Sequence, residues 1–300
     1  MLSLPTRIVR SAHLSSVTGC DVWLKLESEL PTGSFKVRGA LYALERACSQ
    51  RSILEVVAAS TDYHGAAVAY AAQQLDIAAR IFVPSNANPL KCDTIRTLGA
   101  AVTLVGKTIE DARSAARAHA RASRAFVLDD ATNEDVPVGA SAIASEVLDQ
   151  LSGVRAVYIP VGDSALIRGV AAVLKSKQRD IEVIGVQAAT APAYYLSWRS
   201  NQLVTTETAD TIADGLATTR PTADNVQAVR ALVDEMMLVT DDAMSKAIQV
   251  LYAHDGVVAE PAAAAPAAAL LERQHAANTI VVLVITGSNI SPELRRTLLG

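Results

Sequence analysis

One lysine in this chain is hemmed in by residue types that suit an amine to covalent chemistry. Lys36 lies within Gly33-Ser34-Phe35-Lys36-Val37-Arg38-Gly39-Ala40. Gly39, lacking a Cβ, lets another backbone approach the turn closely. Phe35 can shield the ammonium from water, which lowers a lysine pKa. An amine so placed can form a Schiff base with an aldehyde cofactor or a carbonyl substrate. Taken alone, the stretch also fits a solvated lysine in the first turn of a surface helix, so the flanking chain has to decide.

A strand before Lys36 and a helix after it must position the amine. Val22-Trp23-Leu24-Lys25-Leu26-Glu27 reads as the strand and Leu41-Tyr42-Ala43-Leu44-Glu45-Arg46-Ala47 as the helix. The pattern then continues along the chain. Strands are predicted over residues 54–60, 79–84, 101–106, 125–128, 154–162, 181–188 and 279–286. Helices are predicted over 65–75, 90–98, 109–122, 141–151, 164–175, 241–254 and the alanine-dense 261–271. Short, near-continuous apolar strands alternating with helices mark an α/β fold with parallel sheets covered on both faces. No repeat of fixed period and no low-complexity linker divides the chain.

Composition narrows the function classes. With 50% hydrophobic and 19% charged residues, the 300-residue chain reads as a soluble globular protein with a sizeable core. A formal charge of −4 gives no basis for nucleic acid or an anionic membrane surface as partner. No apolar run reaches the roughly 18 residues that a membrane span needs, and residues 1–5 are too short for a signal peptide. Cys20, Cys48 and Cys92 are odd in number, far apart and without paired histidines. They are expected to be reduced thiols in a cytoplasmic protein, forming neither a disulfide framework nor a zinc site.

Ligands of open α/β sheets sit off the carboxyl ends of the strands. There the sequence places Ser60-Thr61-Asp62-Tyr63-His64-Gly65, Gly162-Asp163-Ser164-Ala165-Leu166 and Thr286-Gly287-Ser288-Asn289, with a further turn at Ile212-Ala213-Asp214-Gly215-Leu216. The first two lead into helix N-termini, whose free amides can hold an anion. Each is also an ordinary connection; their joint occurrence in this order carries the weight.

That order resembles the fold type II pyridoxal-phosphate enzymes, in the serine/threonine dehydratase and serine racemase branch. The similarity runs from about Thr6 to Ser291, and Leu24-Lys25-Leu26-Glu27 followed by the Gly33-to-Ala40 stretch carries it most specifically. Supporting pieces are Pro160-Val161-Gly162, Ala213-Asp214-Gly215-Leu216, Glu260-Pro261, and Gly287 with Asn289. The resemblance implies a two-lobed α/β fold with parallel or mixed sheets covered by helices. Residues 1–53 and 133–300 would form a large cofactor-binding domain, and 54–132 a small one.

The resemblance also implies roles. Lys36 would bind pyridoxal 5'-phosphate as a Schiff base and, once released by substrate, take the α-proton. Ser34 would assist proton transfer or touch the cofactor, and Phe35 and Tyr63 would line it. Gly162, Asp163, Ser164, Ala165 and Leu166 would hold its phosphate. Thr286 would face the pyridine nitrogen with a hydroxyl, which leaves the ring a milder electron sink suited to β-elimination. Ser60, Thr61, Asp62 and His64 would line the amino-acid substrate, His64 also framing the helix start. Thr61 falls where a racemase has its second catalytic residue.

Three departures fall in these loops. The family's Ser-x-Gly-Asn-His reads Ser60-Thr61-Asp62-Tyr63-His64, which puts a carboxylate where a substrate carboxylate is usually cradled. Like charges a few ångströms apart repel by roughly 1–4 kcal/mol. The family's glycine-rich phosphate loop keeps Gly162 but continues Asp163-Ser164-Ala165, losing positive-φ freedom. Where the branch binds a divalent cation through acidic residues, this chain has Gln187 and Ala193. A hard cation wants carboxylates, so no metal is expected there. The ending of the chain soon after its last strand argues against an appended regulatory domain. The implied activity is α,β-elimination on a hydroxy or other β-substituted amino acid, giving a keto acid and ammonia, by a homodimer. A racemase using Lys36 and Thr61, a β-replacement enzyme and a non-catalytic cofactor-binding relative are the alternatives.

Overall fold

The computed structural model describes residues 5–60 and 63–300. In chain order its strands are β1 (Ile8–Arg10), β2 (Asp21–Leu26), β3 (Glu55–Ala59), β4 (Ala78–Val83), β5 (Ala101–Leu104), β6 (Phe126–Val127), β7 (Ala156–Pro160), β8 (Glu182–Ala188), β9 (Glu235–Val239) and β10 (Ile280–Ile285). They form two sheets, each with its own helices, and the chain divides into two compact units. The expected α/β architecture, with parallel and mixed sheets under helices, is what the chain adopts.

The first unit takes in Leu30–Ala140. Its sheet has the order β5-β4-β3-β6, and every pairing is parallel. The helix Ile109–Ser123 shows why such segments fold as they do. Thr108 and Asp111 form a capping box at its start, satisfying amides that the helix itself leaves open. Ala112, Ala116 and Ala120 then make a small-residue stripe that lies on Val57 and Phe82 of the sheet.

The second unit takes in Pro5–Glu29 and Ser141–Gly300. Its sheet runs β1-β2-β10-β7-β8-β9, parallel throughout except for the antiparallel β1–β2 pair. The central β10 reads Ile-Val-Val-Leu-Val-Ile and is almost wholly buried, because both its edges are paired and both its faces covered. The helix Pro261–Glu272 packs against β7, β8, β9 and β10, with every residue from Pro261 to Leu270 buried. Its alanines permit that close approach, and Pro at its first position spares an amide that would have no helical partner.

The expected small lobe, 54–132, falls wholly inside the first unit, which also includes 30–53 and 133–140. Packing gives the reason. The helix Lys36–Gln50 packs on the helices Tyr63–Gln74 and Asp135–Ala140 of the same unit. A Cβ on Gly39 would stand 2.7 Å from Val136 Cγ1 and 2.8 Å from its carbonyl oxygen, so this crossing exists only with glycine there. The close backbone approach expected at Gly39 is present.

Several elements were not predicted from the sequence. β1 is three residues long and ends in an arginine, and β9 carries two methionines rather than β-branched residues. The helices Ala12–Thr18, Asp135–Ala140, Ala193–Ser200, Ala223–Leu232 and Pro292–Leu299 are short or weakly periodic. Among the described residues, no helix is long and apolar enough to cross a membrane, and no group of three or more His, Cys, Asp or Glu is placed to hold a metal ion. Cys20, Cys48 and Cys92 are free thiols.

Candidate active site

In the first unit, Lys36 is the first residue of the helix Lys36–Gln50. Gly33, at φ +71°, turns the chain into it. The buried Ser34 accepts a hydrogen bond on Oγ from the Lys36 backbone N–H at 3.3 Å, covering an amide that the helix leaves open. Phe35 is half-buried, and the Lys36 side chain is 26% exposed. Its Nζ donates to Asp130 Oδ2 at 2.5 Å.

Asp130 also brings His64 into the cluster. His64 Nδ1 lies 3.8 Å from Asp130 Oδ2, while its Nε2 meets the Leu128 carbonyl oxygen at 2.9 Å. A carbonyl can only accept, so Nε2 carries a proton, and Nδ1 faces the carboxylate. Burial pushes the Asp130 carboxyl up, but the charges of His64 and Lys36 outweigh it and hold the group well below the usual carboxylate range. Sequence reasoning missed Asp130. The strand-end rule that singled out the other loops points to it as well, since Asp129 and Asp130 follow β6.

Ser60 is buried past the end of β3, and its Oγ accepts from the Gly65 N–H at 2.9 Å, tying the loop to the helix Tyr63–Gln74. Tyr63 opens that helix and is buried. Thr61 and Asp62, expected to line substrate, lie outside the described residues. The structure thus brings Lys36 and His64 onto Asp130, with Ser34 on the Lys36 backbone amide and Ser60 at the start of the helix that carries His64.

In the second unit, Gly162-Asp163-Ser164 turns the chain from β7 into the helix Ala165–Lys177. Two loops press together here: a Cβ on Gly162 would meet the Gly215 carbonyl oxygen at 2.2 Å. Ser164 takes the left-handed conformation, φ +71°, that glycine adopts at less cost. It is buried, and its Oγ donates to the Tyr194 hydroxyl at 3.2 Å, which in turn donates to the Asp163 carbonyl oxygen at 3.3 Å. Tyr194, on the helix Ala193–Ser200, is therefore a loop-fixing residue that the sequence did not single out. Burial pushes its hydroxyl pKa up, so it stays protonated as a donor. The Asp163 side chain accepts from Thr218 Oγ1 at 3.4 Å, so its carboxylate is turned to the 217–219 segment.

No side chain caps the helix Ala165–Lys177, so the amides of Ala165, Leu166 and Ile167 present donors at its positive end. That donor set fits a phosphate dianion. Thr286 is buried just past the end of β10, and Glu260 is buried at the start of the helix Pro261–Glu272. Gln187 is fully buried on β8; its Oε1 accepts from the Tyr195 N–H at 2.8 Å, and its Nε2 has no partner among the described residues.

Comparison with known proteins assigns this chemistry. The model of the family described as pyridoxal-phosphate dependent enzyme matches residues 2–287. The chain is 35% identical over 285 residues to the L-threonine ammonia-lyase of Thermotoga maritima, covering 95% of this chain and 71% of that protein. Its fold superposes on threonine deaminase isoform 2 from Solanum lycopersicum with a TM-score of 0.92 at 28% identity, covering 98% of this chain and 82% of the other. It superposes on maize serine racemase with a TM-score of 0.92 at 25% identity, covering 97% and 90%. The chain therefore belongs to the pyridoxal-phosphate-dependent enzymes of fold type II, in the serine/threonine dehydratase and serine racemase branch, and is a pyridoxal-phosphate lyase catalysing α,β-elimination.

Proposed function

We propose that this lyase acts on a hydroxy or other β-substituted amino acid and releases a keto acid and ammonia. The observation that carries the assignment to residues is the Gly33-to-Ala40 stretch, folded as a turn that ends on Lys36 at a helix start, with Gly39 fixed by close packing. The cofactor supplies a sink for the electron pair released when the Cα–H bond breaks. Lys36 holds the cofactor at rest and takes the α-proton on Nζ once freed. Ser34 assists proton transfer to the leaving group, Phe35 and Tyr63 line the cofactor, and Thr286 offers a hydroxyl to its ring nitrogen. Gly162, Asp163, Ser164, Ala165 and Leu166 bind its phosphate through the helix amides. Ser60, Thr61, Asp62 and His64 line the substrate.

Residues 1–53 and 133–300 are read as the larger cofactor-holding part, with 54–132 as the smaller part. The Gln187 amide supports a reading without a divalent cation at that position, and a chelator is expected to leave turnover intact. A cytoplasmic homodimer completes the proposal; light scattering of the purified protein at twice the 31.5 kDa chain mass is the expected result. The experiment for the function itself incubates the cofactor-loaded protein with threonine, serine and other β-substituted amino acids. Stoichiometric keto acid and ammonia from at least one of them is expected. Inversion of the amino acid without either product would overturn the reading.

A further inference from the structure

Three groups of the first unit converge where the proposed reaction needs one free amine. Lys36 Nζ lies 2.5 Å from Asp130 Oδ2, His64 Nδ1 lies 3.8 Å from the same oxygen, and His64 is tied through Nε2 to the Leu128 carbonyl. The Asp130 side chain is 14% exposed, so its charge is poorly hydrated and leans on these neighbours. The charged groups that act on it are His64, Lys36 and Arg113, the last from the helix Ile109–Ser123. We propose that Asp130 is a positioning residue that parks Lys36 as an ammonium and thereby sets the pH at which the chain captures its cofactor.

The inference rests on the reading of Lys36 as the cofactor lysine. Capture joins the Lys36 nitrogen to the aldehyde carbon of the cofactor and releases one water. It needs the neutral amine, so the ammonium must first lose a proton. A carboxylate at ion-pair distance favours the ammonium. Asp130 is held as the carboxylate and does not take that proton; solvent does, through the exposed quarter of the side chain. Capture is therefore slow at neutral pH and accelerates as pH rises. The same pair gives the amine, whenever it is detached, a fixed place to which it returns.

The test mixes cofactor-free protein with pyridoxal phosphate between pH 6 and 9 and follows the absorbance of the lysine-bound cofactor, with no substrate present. Asp130→Asn keeps the shape of the side chain and removes its charge; it is expected to move the midpoint of the capture profile down by about one pH unit and to speed capture at pH 7 about tenfold. Asp130→Glu is expected to restore the native profile, which a purely structural role would not require. If Asp130→Asn does not fold, Asp130→Ser is measured in its place with the same expectation. An unchanged midpoint in a folded charge-removing variant, or slower capture at every pH, would overturn the role of Asp130. Borohydride reduction and peptide mapping of the native protein separate the two readings: label away from Lys36 defeats its assignment, whereas label on Lys36 with an unmoved profile defeats only that of Asp130.

Discussion

Two lysines of one short stretch, Lys25 and Lys36, have opposite surroundings. Lys25 sits on β2 with no exposure at all, and its Nζ donates to the Thr6 carbonyl at 2.8 Å, Glu146 Oε2 at 2.5 Å and Gln150 Oε1 at 3.1 Å. The acceptors are themselves fixed: Gln150 Nε2 donates to the Thr6 carbonyl at 2.9 Å and Thr6 Oγ1 to Glu27 Oε1 at 2.7 Å. An ammonium has three protons, and all three of them have acceptors. Losing one would leave the Glu146 carboxylate without its counter-charge, so the role of this lysine is structural. Lys36 reaches Asp130 but keeps 26% of its side chain open, at the start of a helix rather than inside a sheet. Burial alone therefore does not make a lysine reactive. An open side and an anion it can leave do.

That contrast can be broken in order of expected effect. Lys36→Ala is expected to abolish the absorbance of lysine-bound cofactor and cut turnover at least about 1,000-fold, while Asp130 keeps His64 and Arg113 beside it, so urea unfolding shifts by less than the about 3–5 kcal/mol of a fully buried pair. Lys25→Met should do the reverse. Removing one partner of a buried charge pair costs about 3–5 kcal/mol, read as a lower urea midpoint, and whatever folded protein remains should still bind cofactor at Lys36. If both variants lose stability equally and keep turnover, the division of roles is wrong.

Gly39→Ala probes the packing that sets Lys36 in place. The added methyl meets Val136 at 2.7 Å, so helix separation must change, at about 1–3 kcal/mol, and cofactor capture should weaken along with stability. A variant as stable as the native protein would show that the crossing gives way easily. The last and smallest effect concerns substrate. Asp62→Gly with Tyr63→Asn is expected to raise elimination from serine or threonine by one to two powers of ten, about 1.4–2.7 kcal/mol, at equal cofactor occupancy. The motive is the added carboxylate and the bulk of the tyrosine ring. Native turnover of serine or threonine that already matches the double variant would mark both residues as tolerated variation.

The sheets were legible because β3, β7, β8 and β10 are near-continuous apolar runs, a pattern that parallel strands under two helical layers impose. β1 and β9 were not, since three residues ending in arginine and a Met-Met strand carry no such pattern. In the site, Lys36, Ser34 and Gly39 announced themselves because turn and helix geometry is local. Asp130 and Tyr194 did not. Asp130 lies 94 residues from its partner Lys36, and Tyr194 lies 30 from Ser164. Tyr194 has no neighbour in sequence that marks it, and the one mark of Asp130 is its place just past β6. Ser164 illustrates a second limit: positive-φ freedom was expected to be lost with the glycines, yet the serine takes the left-handed backbone and its hydroxyl is held by Tyr194.

The central claim, that Lys36 and not Lys25 is the reactive amine, is tested most directly by covalent trapping. Cofactor-loaded protein is reduced with borohydride, digested, and its labelled peptide sequenced by mass spectrometry. The account predicts one pyridoxyl group per chain, on Lys36, and none on Lys25. Label on Lys25 or Lys91, or none after full cofactor loading, would contradict it.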